Sequence, residues 1–424
     1  MKKAVISNRI YLNRTKELHD DLLKELTYKL PPKRPKLPPE VYCDVTRINK
    51  DILTIPVGCI EHIPDDFEIV DKRTINPVFF PKFKFELREA QQEIYDSAND
   101  SCIIVANPSF GKTFTGIAIA TKLKQKTLVI VHTKALMYQW KSEIKKTLGI
   151  SPGIIGDGKF IYDEPITIGL VQTLKNRISQ IPKEFGTIIV DECHHLPAAV
   201  FKSIVDKFNS RYKIGLTATP WRKDGRHLVL KDYFSPLEFR PIDENRVDPS
   251  IIMVKTEIPL NSNNMIPGGN RLNELYDRHD YMELILNLAH IQAQKGHLVL
   301  TVADRVKFLK QCADVLEDDS MLIVGESEDR DFLASKKSIV FASSKIFSEG
   351  VNNPPLRTIL LAMPNHTPGI LTPLIGSVAS THEGKQDPEV IDIILKGKPG
   401  ANPPNQRLGF YMDNGYKVRY IGLD

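Results

Sequence analysis

The sequence predicts an α/β fold, with two parallel-sheet domains in tandem behind a small N-terminal α+β module. Three observations carry this. From Ser101 onward, short apolar runs alternate with helical segments: "SCIIVA", "TLVIVH", "ITIGLV", "GTIIVDE" and "YKIGLTAT". Runs that are apolar on both faces belong to parallel sheets covered by helices. After a polar, proline-containing stretch from about Ser235 to Gly269, the alternation returns in "HLVLTVA", "MLIVGE", "KSIVFAS" and "RTILLAM". Finally, 424 residues exceed one ordinary core, so two or three domains are expected. The composition shifts divide the chain into 1–80, 81–240 and 241–424.

Within residues 1–80, "AVISNRIYL" and "DILTIPVGCI" alternate as strands do, and "KELHDDLLKELTYKL" has helical spacing. The cluster "KLPPKRPKLPPEVY" is a loop or extended segment, because proline fixes φ and lacks the N–H that regular structure needs. At the other end, "KGKPGANPPNQR" reads as a loop, and "GFYMDNGYKVRYIGL" as a hairpin turning on Asn414-Gly415.

Charged residues make up 26% of the chain and hydrophobic ones 42%, as in a soluble globular protein. The net charge of +5 is compatible with a nucleic-acid partner without requiring one. Cys43, Cys59, Cys102, Cys193 and Cys312 lie far apart with no CxxC spacing, which argues against a disulfide framework or zinc ribbon and for a reducing compartment. The opening "MKKAVISNRIYL" lacks a sustained apolar core, so no signal peptide is expected, and no stretch approaches the ~20 apolar residues of a membrane span. A cytoplasmic location is expected, with no membrane partner.

The chemistry concentrates in two motifs. "IIVANPSFGKTF" is a strand, a turn and a helix start, and Ala106 to Thr113 fits the phosphate loop G-x-x-x-x-G-K-[ST] with alanine in the first glycine position. The backbone of Ala106, Asn107, Pro108, Ser109, Phe110 and Gly111 would cradle phosphates at a helix N-terminus. Lys112 would reach the terminal phosphates, and the Thr113 hydroxyl would ligate Mg²⁺. "GTIIVDECHH" ends an apolar run with two carboxylates. Asp191 is assigned to Mg²⁺, and Glu192 to the general base that deprotonates a water aimed at the γ-phosphate of ATP. Cys193, His194 and His195 are adjacent and cannot converge on one ion, so His194 reads as a coupling or packing residue.

Together with "GLTATP", these motifs resemble those of the superfamily 2 helicases, over residues ~85 to ~380. The others follow in family order. "ELREAQQ" resembles the Q-motif region, where Gln91 would read adenine with Arg88 in support. "VHTKALMYQW" and "GLVQTL" resemble motifs Ia and Ib, placing Thr133, Lys134, Gln172 and Thr173 at a nucleic-acid strand. Thr217, Ala218 and Thr219 match motif III, which couples the nucleotide and nucleic-acid sites. "LTVADRVKFL" stands in place of motif IV. "SSKIFSEGVNNPPL" matches motif V, with Glu349 and Gly350 at its core and Asn352 where many relatives have aspartate. The resemblance implies two RecA-like lobes with ATP in the cleft and nucleic acid across them.

Within that superfamily, "SNRIYL", "DECHH" and "TATPWRKDG" are similar to the phage UvsW-like branch-migration helicases and their repair relatives. That likeness implies branched DNA as partner, gripped partly by the N-terminal domain. Arg9, Lys29, Lys33, Arg34 and Lys36 are then either phosphate contacts or a solvated basic loop. An RNA-directed motor or a restriction-system motor subunit would share the same motifs.

One position departs from the family. Motif VI runs Q-x-x-G-R-x-x-R, and its arginines face the γ-phosphate; here Pro373, Ser377 and Ser380 replace the glutamine and both arginines, while Gly376 remains. An arginine finger contributes on the order of 10³ to 10⁵ in rate. The chain is therefore a weakened or non-hydrolysing variant, or recruits Arg357 or Lys385, or carries the motif in another register. Weakened hydrolysis with binding intact is the favoured reading, with arginine at 377 and 380 expected to raise the rate.

Overall fold

The computed structural model describes residues 2–31, 38–107, 110–181, 183–195, 203–218, 229–241, 247–259, 268–323, 337–344, 356–363, 368–379, 387–396 and 404–422. They form two compact units, Met1–Asp243 and Glu244–Asp424.

The first unit opens with β1 (Lys2–Ile6) and β2 (Arg9–Asn13), then a helix over Lys16–Glu25 whose Thr15 cap accepts from the Leu18 N–H. β3 (Thr27–Leu30) and β4 (Glu40–Cys43) pair as a separate two-stranded ribbon on either side of the proline cluster. β5 (Thr46–Arg47), β6 (Ile52–Pro56) and β7 (Phe67–Asp71) complete a sheet of order β5-β6-β2-β1-β7, in which β1 and β7 alone run parallel. Alternation fixes which face is buried. Ala4 and Ile6, Ile10 and Leu12, and Leu53 and Ile55 point into one core with Leu22 of the helix and Leu26, which follows its last turn.

This module is joined to the rest of the unit by a buried polar seam. Arg9, with its side chain 12% exposed, donates to Asp206 Oδ2 at 2.7 Å and to Asp44 Oδ2 at 3.2 Å. The Tyr28 hydroxyl donates to Asp232, the Tyr233 hydroxyl donates to Asp44, and the Gly58 N–H donates to the Asp232 carbonyl. Arg9 is therefore not a phosphate contact: two carboxylates already occupy its guanidinium. Lys29 is exposed, and Lys33, Arg34 and Lys36 lie outside the described residues.

Residues 102–239 form an eight-stranded sheet of β8 (Cys102–Val105), β9 (Thr127–Val131), β10 (Gly153–Gly156), β11 (Lys159–Ile161), β12 (Ile166–Leu170), β13 (Thr187–Val190), β14 (Tyr212–Thr217) and β15 (Glu238–Phe239). Its order is β11-β10-β12-β9-β13-β14-β8-β15, parallel throughout except the β10–β11 hairpin. The apolar runs are buried on both faces, as a helix-covered parallel sheet requires.

The second unit repeats the plan. β16 (Ser250–Pro259), β17 (Leu298–Ala303), β18 (Ser320–Ile323), β19 (Ile339–Ser343), β20 (Leu356–Leu361), β21 (Glu389–Lys396) and β22 (Val418–Gly422) lie in the order β18-β19-β17-β20-β21-β16-β22, all parallel. The two parallel-sheet units and the small N-terminal sheet are the fold class expected from sequence.

Three local expectations fail. β16 stands inside the stretch read as polar coil. The segment Pro404–Asp413 is a helix, not a loop. Arg407, buried, donates from Nε to Asp392 Oδ2 at 2.9 Å, and the Tyr411 hydroxyl donates to the same oxygen at 2.8 Å, so two polar bonds draw this helix onto β21. Asn414-Gly415 does not turn a hairpin. Gly415 (φ 75°) ends the helix, its N–H donating to the Met412 carbonyl, and β22 then runs parallel to β16. A positive-φ glycine caps a helix as readily as it turns a hairpin.

Candidate nucleotide site

Strand order creates the site. β14 lies between β8 and β13, and all three are parallel, so their carboxyl ends adjoin on one sheet edge. Ligands of open parallel sheets bind at that edge. Ala106 follows β8 and Asp191 follows β13, while Thr217 ends β14. The Ala106 N–H donates to the Thr217 carbonyl at 2.9 Å, tying two of these ends together.

The phosphate loop turns from β8 into the helix Lys112–Leu123 at Gly111, which has φ 83°. The positive φ favours glycine, and a Cβ there would lie 2.9 Å from Gln91 Nε2, so a side chain would have to displace the Gln91 amide. Gln91 Nε2 donates to the Phe110 carbonyl at 2.7 Å, and Arg88 donates to the same oxygen. Gln91 Oε1 in turn accepts from the Arg88 N–H at 3.0 Å. Both expected adenine-side residues therefore brace the loop from below, with both ends of the Gln91 amide engaged. Pro108 and Ser109 lie outside the described residues.

Lys112 is 6% exposed; its ammonium donates to the Ala106 carbonyl at 3.1 Å and lies 3.7 Å from Glu192 Oε1. Thr113, on the first turn of the helix, is half-buried. Asp191 is buried: its Oδ2 accepts from Trp140 Nε1 at 2.7 Å and its Oδ1 from the Glu192 N–H at 2.9 Å. Burial, and then the neighbouring Glu192 charge, push the Asp191 carboxyl up to about 6; the Trp140 bond and the Lys112 charge act the other way. Glu192 has φ 47°, a left-handed conformation that costs a non-glycine residue roughly 1–2 kcal/mol and is typical of functional positions.

His194 Nδ1 lies 2.7 Å from the Thr217 hydroxyl and 3.3 Å from Glu192 Oε2. The candidate base, the candidate coupling histidine and motif III thus touch. Thr219, Glu349 and Gly350 fall outside the described residues. Cys193 is buried and its thiol is pushed up by desolvation, which makes it a packing residue.

Among the described residues no cluster of three or more His, Cys, Asp and Glu forms a metal cage. The donor set suits Mg²⁺ nonetheless, because that ion is held by one or two protein oxygens plus phosphates and water. Asp191 and Thr113 would hold it. A cation beside Asp191 and Glu192 would also offset the two causes that raise the Asp191 carboxyl, first its burial and then the Glu192 charge.

The nucleic-acid candidates gather elsewhere on unit one. The Thr133 hydroxyl accepts from the Leu136 N–H as the cap of the helix Lys134–Leu148. Lys134 Nζ pairs with Asp157 Oδ1 at 2.8 Å. Gln172 and Thr173 line a cavity of about 290 Å³ with Gly156, Gly158, Lys159 and Arg177. The β10–β11 hairpin that supplies this wall carries no family motif and is not marked by the linear pattern. Trp140 stands within the segment that resembles motif Ia, on the apolar helix face with Leu136, Met137 and Ile144, and nothing in that pattern marks it as reaching Asp191.

Ser377 lies in the helix Pro368–Ala379, 3% exposed, its hydroxyl donating to the Leu374 carbonyl at 2.6 Å. Leu371, Leu374, Ile375 and Val378 of that helix belong to the second unit's core. An arginine at 377 would bury a guanidinium among them, a cost of several kcal/mol unless it is paired. Arg357, the alternative cation, lies within β20 and is half-buried. Ser380 and Lys385 are outside the described residues.

The profile of the family "Type III restriction enzyme, res subunit" matches residues 84–222, which span the phosphate loop, Asp191–Glu192 and Thr217. "Probable helicase D10" of Escherichia phage T5 is 36% identical over 430 residues, covering 98% of this chain and 95% of that protein. "DNA 3'-5' translocase XPB2" of Sulfurisphaera tokodaii is 35% identical over 175 residues, 40% of each chain. Among solved structures, a leucine-to-valine variant of S. cerevisiae Dbp5 bound to RNA and ADP BeF3 superposes with TM-score 0.59 over 79% of this chain and 89% of that one, at 10% identity, a likeness of fold. The full-length match to the phage T5 protein, on a fold shared with RecA-like helicases, shows that the chain belongs to the superfamily 2 helicases.

Proposed function

We propose that this chain is an ATP-dependent DNA helicase or translocase acting on forks and junctions, organised as a DNA-binding module (1–80), an ATP-binding lobe (81–240) and a second lobe (241–424). The observation that carries the ATP reading is the meeting of the Lys112 ammonium and the Glu192 carboxylate, 3.7 Å apart, beside the buried Asp191. In this reading Lys112 leaves Glu192 for the terminal phosphates. Glu192, so freed, takes the proton of the attacking water. Mg²⁺, when bound, neutralises phosphate charge. Gly111 lets the loop amides approach the phosphates, and Gln91 and Arg88 keep that loop in shape. His194 links Glu192 to Thr217 and, through motif III, to the bound strand.

DNA is favoured over RNA by the XPB2 relative, named a DNA translocase, and by the N-terminal likeness to UvsW-like enzymes. Branched DNA rests on that likeness alone. Ser377 supports a second reading, a nucleotide- and DNA-binding protein that hydrolyses little or no ATP: its hydroxyl carries no charge and is engaged by Leu374.

Single-turnover ATP hydrolysis, with and without a forked duplex and a four-way junction, tests these readings. The proposal expects analogue binding, slow hydrolysis and stimulation by branched DNA. Brisk DNA-stimulated turnover would refute the weakened chemistry. Binding without any hydrolysis would favour the second reading, and stronger stimulation by a matched RNA fork would move the substrate to RNA.

A further inference from the structure

Trp140 is fully buried, yet its indole N–H meets a carboxylate of the candidate nucleotide site, with Nε1 donating to Asp191 Oδ2 at 2.7 Å. The second carboxylate oxygen accepts from the Glu192 N–H at 2.9 Å. One donor on each oxygen fixes the plane of the carboxylate, which a single bond would leave free to rotate. The indole is itself seated against the phosphate-loop helix. A Cβ added at Gly116 would lie 3.0 Å from Trp140 Cη2, so the absence of a side chain there makes room for the ring. Trp140 thus joins its own helix, Lys134–Leu148, to the helix that begins at Lys112 and to the end of β13.

A core position in need of apolar bulk alone would be filled as well by phenylalanine, which brings no polar group to satisfy. Tryptophan brings a donor that must find a partner when buried. Here the partner is the carboxylate assigned to the metal. Residues that hold a metal-ligating carboxylate in place from outside commonly contribute 10- to 100-fold to metal affinity.

We propose that Trp140 is a positioning residue for the metal–nucleotide site: its indole N–H holds the Asp191 carboxylate in the orientation that receives Mg²⁺ on a bound triphosphate. The inference rests on the ATP-site reading above.

The test is a titration of the full chain and of Trp140→Phe with a fluorescent non-hydrolysable ATP analogue, with and without Mg²⁺. In the variant, the metal-free affinity is expected to stay within about twofold of the parent, and the gain conferred by Mg²⁺ to fall by about 10-fold or more. An equal loss with and without the metal would make Trp140 a packing residue and overturn the proposal. So would an unchanged Mg²⁺ gain. Absence of analogue binding by the parent would instead overturn the ATP-site reading, and this inference with it.

A second measurement keeps the native indole. The chain has two tryptophans, so Trp221→Phe leaves Trp140 as the only indole emitter. Its emission is expected to change when Mg²⁺ is added to the analogue complex. Emission indifferent to Mg²⁺, in a complex that binds the metal, would contradict the proposed contact.

Discussion

Gly111→Ala is the substitution whose consequence can be worked most fully. The residue has φ 83°, and holding alanine in that region costs about 1–2 kcal/mol. The new methyl would also stand 2.9 Å from Gln91 Nε2, closer than a real Cβ contact, so the amide must move. Moving it sacrifices the 2.7 Å bond to the Phe110 carbonyl, worth about 1 kcal/mol. The loop conformation is thereby destabilised by roughly 2–3 kcal/mol. If that conformation is the one that binds phosphate, affinity for an ATP analogue falls by roughly 30- to 150-fold. The strain can relax within the loop, so the Tm should shift by only a few degrees. Calorimetric titration of the analogue beside a thermal melt reads both quantities. An affinity within threefold of the parent, at unchanged Tm, would refute the cradle geometry.

Three further outcomes are expected. Arg9→Ala leaves Asp44 and Asp206 buried without their guanidinium, so denaturant unfolding should show a loss of about 3–5 kcal/mol; a DNA-affinity loss without a stability loss would restore Arg9 as a phosphate contact. Gln91→Ala should weaken ATP and GTP analogues equally, because its amide braces the Phe110 carbonyl; a loss confined to ATP would show that it reads adenine. The Mg²⁺-dependent part of analogue affinity should fall as the pH drops through about 6, where Asp191 takes up its proton. The fold should survive this change: with its titration raised from 3.8 to about 6, Asp191 binds its proton more tightly when folded, so this group adds stability as pH falls through that window. Melts and titrations between pH 5 and 8 separate the two effects.

The candidate site is legible where chemistry demands particular residues at fixed chain spacing. Gly111, Lys112 and Thr113 must close a short loop after one strand, and Asp191 and Glu192 must follow another, so both motifs stand out in the linear sequence. Residues that act across chain distance do not. The partners of Arg9 lie at 44 and 206, and nothing local to "SNRIYL" indicates that its charge is spent inside the protein. Trp140 reaches Asp191 over 51 positions, and its spacing says only that it faces a core. In the fold, the doubly buried strands declared themselves by apolar runs. β16 did not, because its second half, Lys255 to Pro259, is partly exposed and alternates with polar residues. Asn414-Gly415 marks a turn in the linear sequence, but whether it closes a hairpin or a helix is set by Arg407 and Tyr411 meeting Asp392.

The most direct measurement is a crystal structure of the chain with Mg²⁺ and a non-hydrolysable ATP analogue. The account predicts the terminal phosphate within hydrogen-bond reach of Lys112 Nζ, and the metal on the side of Asp191 and Glu192. A nucleotide bound away from these three side chains, or a Lys112 still paired with Glu192 in the complex, would contradict it.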